Sequence, residues 1–157
     1  PVEGAGGDIA ISIAGANPVA GLPVTGGEDG SYSAVYTPIA SGTDQVDVRL
    51  NGQAVPGSPF LSVVAPGPAS AATTTASVKK GGFFFYSIDI LVTTRDAQGN
   101  LLNRGGDLVQ VHLDGGIRNA VDHGNGNYSD SFVTLNPVPE ITITLNGAPI
   151  SGSPFRP

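Results

Sequence analysis

The ten-residue phrase NGQAVPGSPF at 51–60 returns as NGAPISGSPF at 146–155, and no other feature of the chain constrains its fold as much. Two further anchors keep the same order in both halves: GGD at 6–8 and 105–107, then GEDGSYS at 27–33 and GNGNYS at 124–129. The offsets drift only from 99 through 96 to 95 residues. A tandem duplication of that period is the size of a small domain, so the chain is expected to hold two copies of one unit. The duplication is incomplete, because residues 68–104 have no counterpart before Pro1. The expectation is a partial unit over 1–65 and a nearly complete one over 66–157, joined through the proline-stiffened APGP at 65–68. With PVEGAGGD at its start and no Met anywhere, the chain reads as a piece of something longer.

Short windows of period-two alternation indicate what each unit is made of. In DIAISIAG (8–15), Ile9, Ile11 and Ile13 share one face; in DQVDVRLNG (44–52), Val46, Val48 and Leu50 do; in EITITLNG (140–147), Ile141, Ile143 and Leu145 do. Polar residues hold the opposite face, the pattern of half-buried antiparallel strands. The 23 Gly and 13 Pro disfavour helix and supply turns, while 39% hydrophobic residues suffice for a folded core. The fold class expected is all-β.

Composition also excludes chemistry. Without Cys there are no disulfides, thiolate nucleophiles or Cys-based zinc sites. A net charge of −6, with only seven Lys and Arg, is the wrong balance for nucleic acid or an acidic membrane surface. No run reaches the ~18–20 apolar residues of a transmembrane helix, so no membrane insertion is expected of this piece. No Ser/His/Asp set or G-x-S-x-G elbow occurs, so no catalytic residue, cofactor or enzyme activity is assigned.

The repeated phrase has a structural reading. Asn-Gly favours a positive-φ turn after a strand. Gly-Ser-Pro-Phe then opens an extended segment in which Pro59 or Pro154 donates no hydrogen bond and Phe60 or Phe155 offers a large apolar group to the core.

Taken together, GGD, DG-x-Y-x-x-x-Y-T-P and V-x-V-x-x-N-G-x-x-V-P-G-S-P-F, with TTRDAQGNLLNRGGD (93–107) and DHGNGNYS (122–129) in the second copy, resemble the filamin-type immunoglobulin-like repeat. The resemblance implies tandem seven-stranded antiparallel β-sandwiches. On that template the second copy runs A 69–78, B 84–96, C 107–113, D 117–122, E 127–134, F 139–146 and G 152–157. The first runs C 8–14, D 18–24, E 30–37, F 43–51 and G 55–64. Strands A and B of the first are missing, and half a sandwich is expected to need completion by upstream residues or a neighbouring chain. Three departures stand out. Counted from GGD, the inward residues slip by one position between copies; Asp130 shares the parity of Tyr128 and Phe132, which calls for hydrogen bonds or a bulge; and TPIASGTD (37–44) shortens to TLNPVPE (134–140).

The resemblance implies protein partners, bound by strand addition beside strand C in the groove between C and D, or by packing between repeats. The corresponding positions are Leu108, Gln110, His112, Ile117, Asn119 and Val121 in the second copy, and Ala10, Ser12, Val19 and Leu22 in the first. It also implies a scaffold in a cytoskeletal setting, ciliary or actin-linked, within the cytoplasm. An extracellular or cell-surface adhesion module built on the same fold is the alternative. In KKGGFFFY (79–86), alternation directs Phe84 and Tyr86 inward and leaves Phe83 and Phe85 as an exposed contact, unless a bend buries three of the four rings. Asn127 heads an Asn-Tyr-Ser sequon that would be glycosylated in a secreted parent. DHGNGN (122–127) lacks the distal Glu of a calcium loop and reads as a tight turn, and His112 and His123 have no third metal ligand in register.

Overall fold

The computed structural model describes residues 9–157, over which the chain is all-β and divides into two compact units between Ala65 and Pro66. The first GGD (6–8) lies outside the described residues.

The first unit contains β1 (Ile9–Gly15), β2 (Thr25–Gly26), β3 (Tyr32–Ser33), β4 (Gly42–Leu50), β5 (Gln53–Ala54) and β6 (Phe60–Val64). β4 is central, pairing antiparallel with β1 along one edge and with β5 and β6 along the other. Register follows the alternation in the sequence: Ile9 faces Leu50, Ile11 faces Val48, and Ile13, Val46 and Phe60 form a row. These apolar rows gather on one face of the sheet, and Ala10, Ser12, Gln45, Asp47 and Arg49 take the other.

The second unit contains β7 (Thr75–Gly82), β8 (Tyr86–Thr93), β9 (Val109–Leu113), β10 (Gly116–Asn119), β11 (Val121–Asp122), β12 (Asn127–Thr134), β13 (Thr142–Leu145) and β14 (Ala148–Pro149). Two four-stranded sheets, in the orders β11-β12-β8-β7 and β10-β9-β13-β14, close on one core. One sheet contributes Ile88, Ile90, Val92 and Tyr128, the other Val109, Val111, Ile141, Ile143 and Leu145, and Ile150 joins them. This is the immunoglobulin-like sandwich that the resemblance implied, built from the strands that the alternation marked.

The repeated phrase is one device built twice. Asn51 and Gly52 take φ of 50° and 80°, and Asn146 and Gly147 take 50° and 85°, the twist-matched geometry of a two-residue hairpin. They join β4 to β5 and β13 to β14. Beyond the turn, Ser58 Oγ accepts the Val48 N–H at 2.9 Å, as Ser153 Oγ accepts that of Ile143 at 2.8 Å. Both following Ser-Pro bonds are cis. Phe155 packs against the core of the second unit, whereas Phe60 is 46% exposed in the first.

Several boundaries expected from the sequence are corrected. Strand B starts at Tyr86 rather than Phe84, because β7 runs on to Gly82 and a three-residue tip, Phe83 to Phe85, turns the chain. Phe84 is therefore exposed, not inward. Strand C starts at Val109. Strand D divides: β10 stays hydrogen-bonded to β9, then β11 crosses to β12 in the other sheet. In the first unit, residues 18–24 pair only at Val19 and Leu22, and of residues 30–37 only Tyr32 and Ser33 form a ladder. G in the second unit reduces to the Ile141–Phe155 bridge.

The one-residue slip does not enter the ladder. Ile9 faces Leu50 as Val109 faces Leu145, so the extra residue lies before the strand, at Leu108. Leu108 N donates to Asn146 Oδ1 at 2.9 Å, and its carbonyl accepts from Asn146 N at 2.8 Å. Asp130 needs no bulge either, since it stays opposite Ile90. Arg118 binds it through Nε at 2.7 Å and Nη2 at 3.0 Å, and the same guanidinium sits 5.5 Å from the Phe132 ring. The pair ties β10 to β12, and so one sheet to the other, where the chain crosses over.

The shortened loop marks a real difference between the units. Asp44 is buried and accepts bonds from Asn17 N and Nδ2, both at 2.8 Å, and from Tyr36 Oη at 3.3 Å. Asn17 Oδ1 in turn accepts from Ile39 N and Ala40 N. Burial pushes the Asp44 carboxyl up, but the Asn17 and Tyr36 donors outweigh it and hold the group below its usual value. At the 95-residue offset the second unit has Pro139, which is buried without needing such partners.

Candidate partner-binding edges

The sites that can recognise a protein here are sheet edges, where backbone N–H and C=O groups are left to pair. In the second unit, the strip expected beside strand C is not a groove along an open strand. His112 lies directly opposite Ile117, and Gln110 opposite Asn119, in the β9–β10 hairpin. Gln110 Nε2 donates to Asn119 Oδ1 at 3.1 Å, and Ala120 N continues the cover by donating to the Val109 carbonyl at 2.9 Å. The chain has added its own strand where a partner strand was expected, and the open edge passes to β10. Ile117 and Val121 are 61% and 60% exposed, and Leu108 47%. Val121 belongs to the other sheet, paired with Ser129.

In the first unit the edge of β1 is partly covered. Ile13 and Val19 exchange N–H···O bonds at 2.8 and 2.9 Å, and Leu22 N donates to the Ile11 carbonyl at 2.8 Å. Toward Ile9, among the described residues, nothing pairs on this side. Against the edge lies a groove of ≈ 460 Å³ lined by Ser12, Ala14, Val19, Ala20, Gln45, Asp47 and Arg49 among others. Its polar wall is fixed: Arg49 Nε donates to Asp47 Oδ2 at 2.7 Å, and Ser58 Oγ donates to Asp47 Oδ1 at 2.8 Å. The Arg49 and Ser58 donors lower the Asp47 carboxyl, so the wall keeps its charge. Ala10 is exposed, whereas Ser12, Val19 and Leu22 are half-buried.

A second edge went unnoticed in the sequence. In the second unit β12 is paired along its whole length with β8, from Asn127–Thr93 to Thr134–Tyr86. The matching stretch of the first unit, at the 96-residue offset, has no strand of that kind beside it among the described residues. Among the described residues no backbone–backbone hydrogen bond joins 34–37 to a neighbour, and Val35 is 84% exposed.

The remaining candidates take simpler places. Phe83 and Phe85 are 78% and 68% exposed at the β7–β8 tip, where Phe83 and Phe84 make an edge-to-face contact with centroids 5.0 Å apart. The DHGNGN segment is a turn closed by Asp122, whose Oδ1 accepts Gly124 N at 2.8 Å and whose Oδ2 accepts Gly106 N at 2.7 Å. These two amides lower the Asp122 carboxyl. His123 Nε2 lies 2.8 Å from Ser129 Oγ, and His112 Nε2 lies 3.3 Å from Thr144 Oγ1, so the two imidazoles serve different strands. No cluster of three or more His, Asp or Glu side chains able to hold a metal occurs among the described residues. Asn127 starts β12, with Oδ1 accepting from Thr93 Oγ1 at 3.0 Å and Nδ2 donating to Asn125 at 3.2 Å.

Against known families, residues 2–61 match the model described as the Filamin/ABP280 repeat, a match that lies wholly within the first unit and ends inside β6. The antiparallel all-β architecture of the described part of that stretch is consistent with a filamin-type immunoglobulin-like repeat.

Proposed function

We propose that the chain is a non-enzymatic structural segment of a larger multi-repeat protein. In this reading 1–65 is a filamin repeat carrying strands C to G, and 66–157 is a second repeat of the same type. The filamin repeat is a structural and protein-interaction module, and the hairpin device of 51–60 and 146–155, with the same Asn-Gly turn and the same serine hydroxyl accepting a strand amide, supports extending it to the second unit. Such modules set spacing within an assembly and hold partners at sheet edges, here in a cytoskeletal setting of the cytoplasm, ciliary or actin-linked.

The observation that carries the binding role is the groove along β1, where a fixed ion pair adjoins strand backbone still open near Ile9. An extended segment entering there gains main-chain bonds from the edge and selectivity from the side chains of Ser12, Val19 and Arg49. A photo-crosslinking residue placed at Ala10 in the native assembly tests this. Crosslinks from position 10 to an extended partner segment, weakened by Ser12→Glu and absent from position 53, are the expected result. Equal labelling from both positions would remove the groove from the mechanism and leave the units as spacers.

A further inference from the structure

Three consecutive phenylalanines, Phe83, Phe84 and Phe85, stand exposed at the β7–β8 tip of the second unit. The bend is fixed by Gly82, whose φ is +88° and where a Cβ would run into the Phe85 carbonyl oxygen. Behind the rings Gly81 and Gly82 offer no side chain, and then come Lys80 and Lys79, the only two lysines of the sequence. Successive strand residues project to opposite faces, so each face of the hairpin carries one ammonium group. Lys80 Nζ donates to the carbonyls of Pro137 and Pro157, both at 2.7 Å, and lies 5.7 Å from the Tyr86 ring. These contacts hold it at this end and leave its charge whole. The loop it grips adds the exposed Leu135 and Val138 to the same end of the unit.

The net charge of −6 weighs against an acidic surface, but it is unevenly placed. Residues 66–157 hold six Lys and Arg against seven Asp and Glu, which leaves −5 of the −6 to residues 1–65. The acidic groups nearest the tip are engaged: Glu140 pairs with Arg156, Asp114 Oδ1 accepts from Asn136 Nδ2 at 3.4 Å, and Asp89, opposite Lys79, accepts from Ser131 Oγ at 2.8 Å. Exposed charges beyond about 8 Å are largely screened at physiological salt, so the lysines beside the rings set the local sign. The rings themselves diverge, Phe83 and Phe84 standing at 84° with centroids 5.0 Å apart. A concave protein pocket receives side chains from one direction, whereas a bilayer is apolar in all of them. The spacing fits as well. Lys80 lies two residues, about 7 Å, behind Gly82, and surface-seated elements enter the headgroup boundary by about 5–10 Å. With the rings at that depth, the ammonium groups stand among the lipid phosphates.

We propose that the β7–β8 tip is a membrane-docking hairpin. Phe83, Phe84 and Phe85 enter the interfacial layer of an anionic phospholipid bilayer, and Lys79 and Lys80 meet its headgroups. Nothing crosses the bilayer: the hairpin seats in one leaflet, unlike the spanning helix that the sequence lacks. A spacer unit docked in this way fixes an assembly to a membrane, a role beyond strand addition at β1.

The chain has no Trp, so Phe84→Trp gives a single emission signal at the tip and Leu101→Trp one at the far end of β8, beside Arg95. Each 157-residue variant is mixed with vesicles of equal parts phosphatidylcholine and phosphatidylserine. Emission from position 84 is expected to move to shorter wavelength and to be quenched by lipids brominated near the glycerol end of the acyl chain. Emission from position 101 should stay as it is in buffer. In the Phe84→Trp chain, adding Phe83→Ser and Phe85→Ser should lower partition more than about tenfold, from the lost burial of two rings. Lys79→Gln should lower it about fivefold, and only while phosphatidylserine is present. All these side chains are exposed, so the amide spectrum of the second unit should keep its dispersion in every variant. No partition at millimolar lipid, partition that survives the loss of both rings, equal partition into phosphatidylcholine alone, or an equal shift from position 101 would each overturn the proposal. So would a photo-crosslinking residue at position 84 that captures protein and no lipid in the native assembly, which would make the tip a protein contact.

Discussion

Truncating the same leucine in each unit measures how much a covered face is worth. Leu145→Ala and Leu50→Ala remove equal side chains from equivalent positions of β13 and β4, one residue 2% exposed and the other 37%. Leu→Ala deletes three carbons, worth ~2.4 kcal/mol of transfer free energy at ~0.8 kcal/mol per buried methylene. At Leu145 the neighbours Ile143, Val109 and Ile150 are themselves buried, so a cavity remains and the total rises to about 3–4 kcal/mol. At Leu50 only about two-thirds of the transfer is at stake and water enters the space, giving ~1.5 kcal/mol without a cavity contribution. Because two units need not unfold together, a single melting curve is the wrong assay. Residue-resolved amide exchange reads each unit separately. Exchange from the most protected β13 amides should quicken more than a hundredfold in Leu145→Ala, and that from β4 by about tenfold in Leu50→Ala. Equal acceleration, or a larger effect at Leu50, would refute the argument that the first unit's apolar face is uncovered.

Gly126→Ala should destabilise the second unit by more than ~1 kcal/mol, seen as a lower urea midpoint, because φ is +82° there and a Cβ would run into the Leu102 carbonyl oxygen. Arg118→Ala should cost ~1–2 kcal/mol, since it strips the partner from the Asp130 carboxylate, whose side chain is only 8% exposed; adding Asp130→Ala should recover part of that loss in a double-mutant cycle. Asp44, Asp96 and Asp122 all titrate below the usual 3.8 in the folded chain, so the unfolded chain takes up protons first as pH falls. The stability they contribute is full above about pH 3.8 and is lost as pH drops through the folded values, so residue-resolved amide protection should fall steeply only below that point, and less steeply across β4 in Asp44→Asn.

Much of this molecule could be read from its residues. Alternation at Ile9, Ile11 and Ile13, at Val46, Val48 and Leu50, and at Ile141, Ile143 and Leu145 named the inward face of three strands, because side-chain period and burial are coupled along a strand. The Asn-Gly turns were legible for a related reason, since their positive φ is a local property of two residues. The Phe84 ring was misplaced because nothing in KKGGFFFY says where pairing stops: β7 continues through Gly81 and Gly82 opposite Ser87 and Tyr86, and that pairing pushes the ring into the tip.

The candidate edges divide the same way. The sequence by itself determined the duplicated all-β unit, the inward face of its strands and the absence of cysteine and cationic chemistry, since these depend on residue type and spacing alone. Only the tertiary structure decided that β10 occupies the side of β9 expected for a partner, and that Asn17 and Tyr36 hold a buried Asp44. Those outcomes depend on which strand lies beside which, and pairing between segments far apart in the chain is fixed by the competition of whole faces for cover.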